Sequence, residues 1–300
     1  MSVVVLSGGS GGAKLARGLY ELLGEDLTVV ANTADDIEIY GAHVSPDPDL
    51  VTYWLADRID ERGWGIAGDS FAAVEMLREL GVEAWFGLGD RDLALCLERR
   101  RLRELGMSAV EAQRRLTGAL GVTADVLPMS EQQVRTRICT AGRWVGLQEF
   151  MIQLGASAPI EHIELQGVEA AAPSPEVLDA VAGASAIIIG PSNPVISIGP
   201  IIELVGMREA LRTAPAPVLA VSPIVGGEVL KGPTAACLDW AGLPADAGGV
   251  RAYYGALLDG IVSDEKLDGI ASLRCDTLMT SAEQRRTLAE RVLEFATTLG

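Results

Sequence analysis

The sequence of 300 residues is poor in histidine, aromatic residues and basic residues, and each shortage limits its core, its sites or its partners. Two histidines leave little material for histidine-based metal sites or acid–base pairs. Aromatic residues make up 5% of the chain, so the core must consist mainly of aliphatic side chains. The formal net charge of −17 argues against a nucleic-acid partner and against binding to an anionic membrane.

Cysteines and long apolar runs are also scarce. The four cysteines lie far apart and form no C-x-x-C pair, so we expect reduced thiols and no structural zinc site. No apolar run approaches the roughly 18 residues that a membrane-spanning helix needs. The N-terminus lacks the basic segment and the long apolar run of a signal peptide. We therefore expect a cytoplasmic protein without a membrane segment.

Short aliphatic runs alternate with helical patterns through most of the chain. Five runs are bounded by turn residues and predict strands at 3–6, 27–31, 84–86, 186–189 and 218–221. Continuous apolar runs are typical of strands that are buried on both faces of a parallel sheet. The alternation predicts the α/β class, with a Rossmann-like doubly wound, mostly parallel sheet.

The middle of the chain has a different pattern. Residues from about 91 to 120 look helical and rich in arginine, and residues from about 124 to 170 alternate like antiparallel strands, with Ala141-Gly142 as a hairpin turn. We predict one Rossmann-like domain over 1–300, with a smaller inserted α+β subdomain at about 91–170. Just before it, Asp69 is the predicted cap of a helix that ends at Gly81.

A glycine-rich turn, Ser7–Lys14, follows the first predicted strand and opens a helix. Backbone N–H groups and the helix dipole favour an anion there, which makes substrate-binding candidates of Gly9, Ser10, Gly11 and Gly12. The turn is not a nucleotide P-loop, because Leu15 follows Lys14. Nor is it a sound dinucleotide fingerprint, because Asn32 stands where an acid should end the second strand. The structural alternative is a tight turn that brings strand and helix together.

Two acidic clusters follow, Asn32–Asp36 and Ser45–Asp49. Adjacent aspartates repel each other unless a cation or hydrogen-bond donors neutralise them. The prolines of the second cluster predict extended backbone, which would place the carboxylates of Asp47 and Asp49 on one side. Mg²⁺ needs only one or two carboxylates plus substrate phosphate oxygens, and Asp35 and Asp49 are the preferred pair. The alternatives are a turn for the first cluster and a helix cap for Asp49.

Two further loops end predicted strands. In Gly89–Asp92, Asp90 and Arg91 are substrate-binding candidates, because a guanidinium binds phosphates or ring carbonyls; a capping and ion-pair cluster is the alternative. In Gly190–Pro194, the candidates are Ser192, Asn193 and Pro194, and the alternative is a rigid turn. No nucleophile is paired with a base in the sequence, which disfavours covalent catalysis.

These motifs occur in a fixed order and together resemble the 2-phospho-L-lactate transferase family, which assembles coenzyme F-420. The resemblance covers about two-thirds of the chain and rests on Ser7–Lys14, Asn32–Asp36, Ser45–Asp49, Gly89–Asp92, Gly190–Pro194 and Ser222–Gly227. Ala34 stands where the family usually has glycine. This departure affects the geometry of the turn and removes no ligand.

The resemblance implies a Mg²⁺-dependent transfer of a phosphorylated three-carbon acid from its guanosine diphosphate (GDP) conjugate. The acid is phospholactate, phosphoenolpyruvate or phosphoglycerate. The acceptor is the ribityl hydroxyl of 8-hydroxy-5-deazariboflavin, and GMP is released. On this reading Asp35 and Asp49 hold Mg²⁺, Asp49 or Asp36 orients the hydroxyl as the catalytic residue, and Asp49 and Arg91 contact the deazaflavin. The family also suggests a homodimer.

Two other functions stay open. A nucleotide-sugar-binding regulatory protein of the same superfamily is the main alternative, although that branch lacks the Ser-Pro-Asp-x-Asp stretch that begins at Ser45. A nicotinamide oxidoreductase is disfavoured by the missing ribose-binding acid. Nucleotide preference separates the three: guanine for the transferase, uracil for the regulator and a dinucleotide for the oxidoreductase.

Overall fold

A computed structural model describes residues 1–230 and 232–300. The strands are β1 (Val3–Ser7), β2 (Leu27–Ala31), β3 (Ile37–Ile39), β4 (Ala42–Val44), β5 (Asp125–Pro128), β6 (Arg135–Thr140), β7 (Arg143–Gly146), β8 (His162–Gln166), β9 (Ala186–Ile189), β10 (Val218–Val221), β11 (Ile224–Val225), β12 (Glu228–Val229), β13 (Gly260–Ser263) and β14 (Ala271–Arg274). The α-helices are α1 (Gly9–Leu23), α2 (Pro46–Leu55), α3 (Ala72–Glu79), α4 (Asp90–Glu104), α5 (Ala109–Ala119), α6 (Leu147–Ile152), α7 (Pro175–Ala182), α8 (Gly199–Ile202), α9 (Met207–Thr213), α10 (Thr234–Trp240), α11 (Ala247–Tyr254) and α12 (Ala282–Thr297).

Seven parallel strands form the central sheet in the order β14-β13-β10-β9-β1-β2-β5. Val3 of β1 pairs with Leu27 of β2 on one side and with Ala186 of β9 on the other. The chain winds outward from β1 in one direction and from β9 in the other. The predicted α/β, doubly wound fold is therefore confirmed, and its switch point lies between β1 and β9, where such sheets bind ligands.

Both faces of the sheet are covered, which explains the unbroken apolar runs. Val3 and Val5 pack on one face, where α1 lies against α2 and α12. Val4 and Leu6 pack on the other face, in a core that includes residues of α7, α9 and α11. Among the residues described here, no helix combines the length and the apolar character that a membrane span requires.

Four of the five predicted strands are present, and the fifth is wrong. Residues 84–86 form no strand; they connect α3 to α4, and Ala84 and Phe86 pack in a small cluster with Val74. A short apolar run indicates burial, and it does not by itself indicate pairing with a neighbouring strand. Strands β13 and β14 were not predicted: β14 is half-exposed and lacks an apolar run, whereas β13 is buried but has only two large apolar residues, Ile261 and Val262.

The predicted hairpin is confirmed. Ala141 and Gly142 connect β6 to β7, and both have positive φ, at 47° and 69°, as a two-residue hairpin turn requires. Strands β7, β6 and β8 form a separate three-stranded antiparallel sheet. Within the predicted insertion of about 91–170, β5 belongs to the central sheet through its pairing with β2. The boundaries of a subdomain stay a prediction.

Candidate functional site

The loops that follow β1 and β9 meet at the switch point. A Cβ atom on Gly11 would lie 1.9 Å from the carbonyl oxygen of Pro191, and one on Gly12 would lie 2.8 Å from Ser192 Oγ. The N–H of Gly8 donates to Ser192 Oγ at 3.3 Å. Gly11 and Gly12 are therefore required for close packing, which is the structural alternative that the sequence left open.

The N-terminus of α1 holds a carboxylate from the second acidic cluster. The N–H of Gly9 donates to Asp47 Oδ1 at 2.6 Å, and the N-cap residue Gly8 has no side chain to fill this role. A negative charge is stabilised there by the free N–H groups and the helix dipole. The predicted anion site and the acidic cluster of Ser45–Asp49 are thus adjacent.

Asn32 connects the two acidic clusters. Its Nδ2 donates to Asp35 Oδ1 at 2.9 Å and to Asp47 Oδ2 at 3.0 Å, while its Oδ1 accepts from the N–H of Ala34 at 2.9 Å. The backbone N–H of Asn32 donates to the carbonyl of Ser7 at 2.9 Å, which fixes the loop beside β1. One fully buried amide therefore positions two carboxylates at the end of the sheet.

These two carboxylates have too few positive partners. Burial, followed by repulsion from Asp47, raises the pKa of Asp35 well above its usual value. Burial raises the pKa of Asp47 to about 6, although hydrogen bonds from Gly9 and Asn32 oppose the rise. A divalent cation would relieve this repulsion, and two carboxylates are a hard oxygen donor set of the kind that Mg²⁺ prefers. The residues present therefore fit a Mg²⁺ ion.

Asp36 is held by two donors from the segment that leads into α2. Ser45 Oγ donates to Asp36 Oδ1 at 2.7 Å, and His43 Nε2 lies 2.8 Å from Asp36 Oδ2. The carboxylate is buried, whereas 28% of the His43 side chain is exposed. Asp36 consequently has a fixed orientation beside Asp35, and each of its oxygens keeps a second lone pair for a ligand.

Asp49 has a different partner from Asp47. Both of its oxygens accept from Arg99: Nη1 donates to Oδ2 at 3.0 Å, and Nη2 donates to Oδ1. Arg99 also donates to the carbonyl of His43 and to Gln113 Oε1, at 3.1 and 3.3 Å. Burial raises the pKa of Asp49, and the charge of Arg99 opposes this effect. The carboxylate that the sequence assigned to Mg²⁺ and to catalysis is thus bound by Arg99 in a buried, bidentate ion pair.

The expectation of extended backbone around Asp47 and Asp49 is wrong, and the helical backbone found there separates their side chains. Helix α2 begins at Pro46, so both residues lie in its first turn. Residues two apart on a helix point in different directions. Asp47 therefore reaches Asn32, while Asp49 reaches Arg99. The structure thus brings Asp35 and Asp47 together through Asn32 and pairs Asp49 with Arg99, and the assignment of Mg²⁺ to Asp35 and Asp49 stays a prediction.

Asp90 and Asp69 act as helix caps. The carboxylate of Asp90 accepts from the N–H groups of Ala72 and Ala73, at 3.1 and 2.9 Å, at the start of α3. Asp69 accepts from the N–H of Arg91, at 2.9 Å, at the start of α4. The predicted cap of α3 by Asp69 is therefore wrong: α3 is capped by Asp90, the first residue of α4, and α4 is capped by Asp69, which precedes α3. The substrate-binding roles of Asp90 and the exposed Arg91 stay predictions.

The loop after β9 is organised by Asn193. Its Oδ1 accepts from the N–H groups of Val195 and Ile196, at 2.9 and 3.3 Å, and caps a π-helical turn over Pro194–Ile198. Within the described part of the chain, Asn193 Nδ2 and the buried Ser7 Oγ have no hydrogen-bond partner. Unsatisfied polar atoms and π-helical turns are both common at functional sites. The ligand contacts of Ser192, Asn193 and Pro194 stay predictions.

A cavity of about 350 Å³ opens beside Asp35 and Asp36. The cavity is also lined by Arg135, Thr136 and Arg137 of β6 and by Gln148 of α6. The N–H of Thr136 donates to the carbonyl of Ala34 at 2.9 Å, and Gln148 Nε2 donates to the carbonyl of Asp35 at 3.1 Å. Strand β6 and helix α6 therefore contact the acidic loop directly and line the cavity beside it.

The fold and the site define a doubly wound α/β protein with buried carboxylates beside the loops at its switch point. The family described as "2-phospho-L-lactate transferase CofD" matches residues 3–290. The chain belongs to this family and is a transferase.

Named relatives and a solved structure resemble the chain over almost its whole length. The 2-phospho-L-lactate transferase of Methanosarcina mazei is 41% identical over 303 residues, covering 97% of this chain and 99% of the relative. The phosphoenolpyruvate transferase of Kitasatospora aureofaciens is 38% identical over 314 residues, covering 99% and 98%. A UPF0052 family protein of Bacillus halodurans has a TM-score of 0.65 at 16% identity, covering 98% of this chain and 100% of that structure. The last similarity shows the fold alone.

Proposed function

We propose that the protein transfers a phosphorylated three-carbon acid from its GDP conjugate to the ribityl hydroxyl of 8-hydroxy-5-deazariboflavin in coenzyme F-420 assembly. Membership of the CofD family supports this reaction. Two relatives are named for different three-carbon acids, phospholactate and phosphoenolpyruvate. The observation that carries the proposal is the amide of Asn32, which holds Asp35 and Asp47 together beside the N-terminus of α1.

Asp35 and Asp47 would hold Mg²⁺ together with phosphate oxygens of the donor. When bound there, Mg²⁺ supplies Lewis acidity toward the phosphoryl group and its leaving group. The N–H groups of Ser10 and Gly11 lie in the first turn of α1 and have no acceptor within the helix. They are placed to bind non-bridging phosphate oxygens.

Asp36 orients the acceptor in this proposal. The hydroxyl oxygen attacks the phosphorus that carries the three-carbon acid, and the bond from that phosphorus to the bridging oxygen of GMP breaks. GMP leaves with that oxygen and the electron pair, and the hydroxyl proton passes to Asp36 and from there to solvent. Ser45 and His43 hold the carboxylate of Asp36 still, so it can accept a hydrogen bond from the hydroxyl in one orientation. Positioning and electrostatic stabilisation contribute more to phosphoryl transfer than proton abstraction does.

The test measures GMP release and formation of the phosphorylated deazaflavin, with each of the three guanylyl donors in turn, with and without Mg²⁺. We expect Mg²⁺-dependent turnover that favours one donor. Lack of turnover with every donor, from protein that is folded by circular dichroism, would contradict the proposal. Binding of a UDP-sugar in preference to GDP would then support the nucleotide-sugar-binding alternative.

The assembly state and the location are separate proposals. A homodimer rests on resemblance to the family, and sedimentation velocity distinguishes it from a monomer. The cytoplasmic location stays a prediction from the sequence, and fractionation of the source cells tests it.

A further inference from the structure

Arg137 is a half-buried cation that lines the cavity beside Asp35 and Asp36. In the described part of the chain, no carboxylate lies within ion-pair distance of its guanidinium. Its Nη2 donates to the backbone carbonyl of Trp144 at 3.4 Å. Arg135, two residues earlier on the same face of β6, forms an ion pair with Glu38 at 2.7 Å.

An unpaired guanidinium is unusual in this environment. The chain has 41 acidic residues against 24 basic ones, and buried charges are normally paired. Strand register places Gly146 directly opposite Arg137 on β7, so no side chain fills the space on that side. Glu164 is opposite on β8, yet its exposed carboxylate forms no ion pair with Arg137. The guanidinium has five N–H donors, and most of them remain available to a ligand in the cavity.

We propose that Arg137 binds the carboxylate of the transferred three-carbon acid. This inference rests on the proposed function. In each of the three acids the carboxylate lies within a few bonds of the phosphoryl group. Asp35, one of the two carboxylates proposed to hold Mg²⁺, lines the same cavity as Arg137, so a carboxylate a few bonds from the bound phosphoryl group can enter that cavity. The acidic wall formed by Asp35 and Asp36 repels a free carboxylate, so a cation is needed to hold it there.

The chemistry of arginine suits this role. A guanidinium binds a carboxylate through two parallel hydrogen bonds, whereas a lysine ammonium acts as a point charge. Arg137 would therefore select donors that carry a carboxylate over GDP itself, and it would have little effect on the guanine nucleotide. This makes Arg137 a specificity-determining residue for the transferred group.

The experiment compares Arg137→Gln and Arg137→Lys with Arg143→Gln, an exposed arginine on the neighbouring strand. Calorimetry with Mg²⁺ gives the Kd of the preferred guanylyl donor and of GDP alone, and kinetics give KM for donor and acceptor. Loss of a bidentate charged pair should weaken donor binding and raise donor KM about 10- to 100-fold in Arg137→Gln, and less in Arg137→Lys. The Kd of GDP, the acceptor KM and all constants of Arg143→Gln should stay unchanged.

Other outcomes would overturn the inference. Equal weakening of donor and GDP would mean that Arg137 recognises the nucleotide, and a raised acceptor KM alone would mean that it contacts the deazaflavin. An unchanged donor Kd in both Arg137 variants would show no role in binding. If the unsubstituted protein shows no transfer with any of the three donors, the proposed function fails. The difference in Kd between donor and GDP then still decides whether Arg137 binds the carboxylate.

Discussion

Replacement of Arg99 by methionine should lower the free energy of unfolding by about 3–5 kcal/mol, the usual cost of leaving a buried charge unpaired. Arg99 and Asp49 are each 5% exposed. The substitution removes both hydrogen bonds to Asp49 and the donors to the His43 carbonyl and Gln113. For a chain of 300 residues, an unfolding entropy of about 2.1 cal/mol/K per residue converts this cost to a fall of about 5–8 °C in Tm.

The double variant Arg99→Met/Asp49→Leu separates the ion pair from the packing around it. Replacement of a buried ion pair by apolar side chains of similar volume is often neutral, so most of the lost stability should return. Thermal and urea unfolding, followed by circular dichroism, give both free energies and the coupling between the two sites. A cost below about 1 kcal/mol for Arg99→Met would refute the reasoning. That result would mean that Asp49 is not paired with Arg99 when the protein is in solution. Asp49 could then act as a Mg²⁺ ligand, as the sequence predicted.

Three further predictions concern the acids and the glycine turn. Asp47→Asn should reduce the rate of transfer by about 10²- to 10⁴-fold and leave Tm almost unchanged. Asp49→Asn should lower Tm, because Arg99 is left without its charged partner. Because burial raises the pKa of Asp47 to about 6, the folded protein without Mg²⁺ should lose stability as pH rises from about 4 through 6. Mg²⁺ should therefore raise Tm at about pH 7.5 and have little effect at about pH 5. Gly11→Ala should lower the free energy of unfolding by about 1–3 kcal/mol, because its Cβ would clash with the carbonyl of Pro191. Gly118→Ala, in open space within α5, should raise the free energy of unfolding by up to about 1 kcal/mol.

Each of these predictions has an outcome that contradicts it. If Asp47→Asn and Asp49→Asn lost activity equally and had equal Tm values, both carboxylates would be assigned to the metal site. A slope of Tm against pH that is unchanged by Asp47→Asn would remove this residue from the titration between about pH 4 and 6. A Gly11→Ala variant as stable as the parent would show that the turn relaxes away from Pro191.

The sequence by itself determined the class of fold and the location of the candidate site. Apolar runs such as Leu27–Ala31 and Ala186–Ile189 were located to the residue, because a strand that is buried on both faces must be apolar throughout. Polar loops at the carboxyl ends of such strands must meet at one edge of the sheet. The glycine turn, both acidic clusters and the loop after β9 were found by this reasoning.

Only the tertiary structure decided which side chains act together. The prolines of the second acidic cluster allow either extended backbone or the first turn of a helix, and packing of α2 against α1 accompanies the helical choice. In the helix, Asp47 accepts a hydrogen bond from Asn32, and Asp49 pairs with Arg99, which lies 50 residues away in the chain. Arg137 likewise lies in a strand with no motif around it, and its proposed role depends on the packing of β6 against the acidic loop. Long-range pairings of this kind are set by packing and charge balance in three dimensions, which spacing along one sequence does not record.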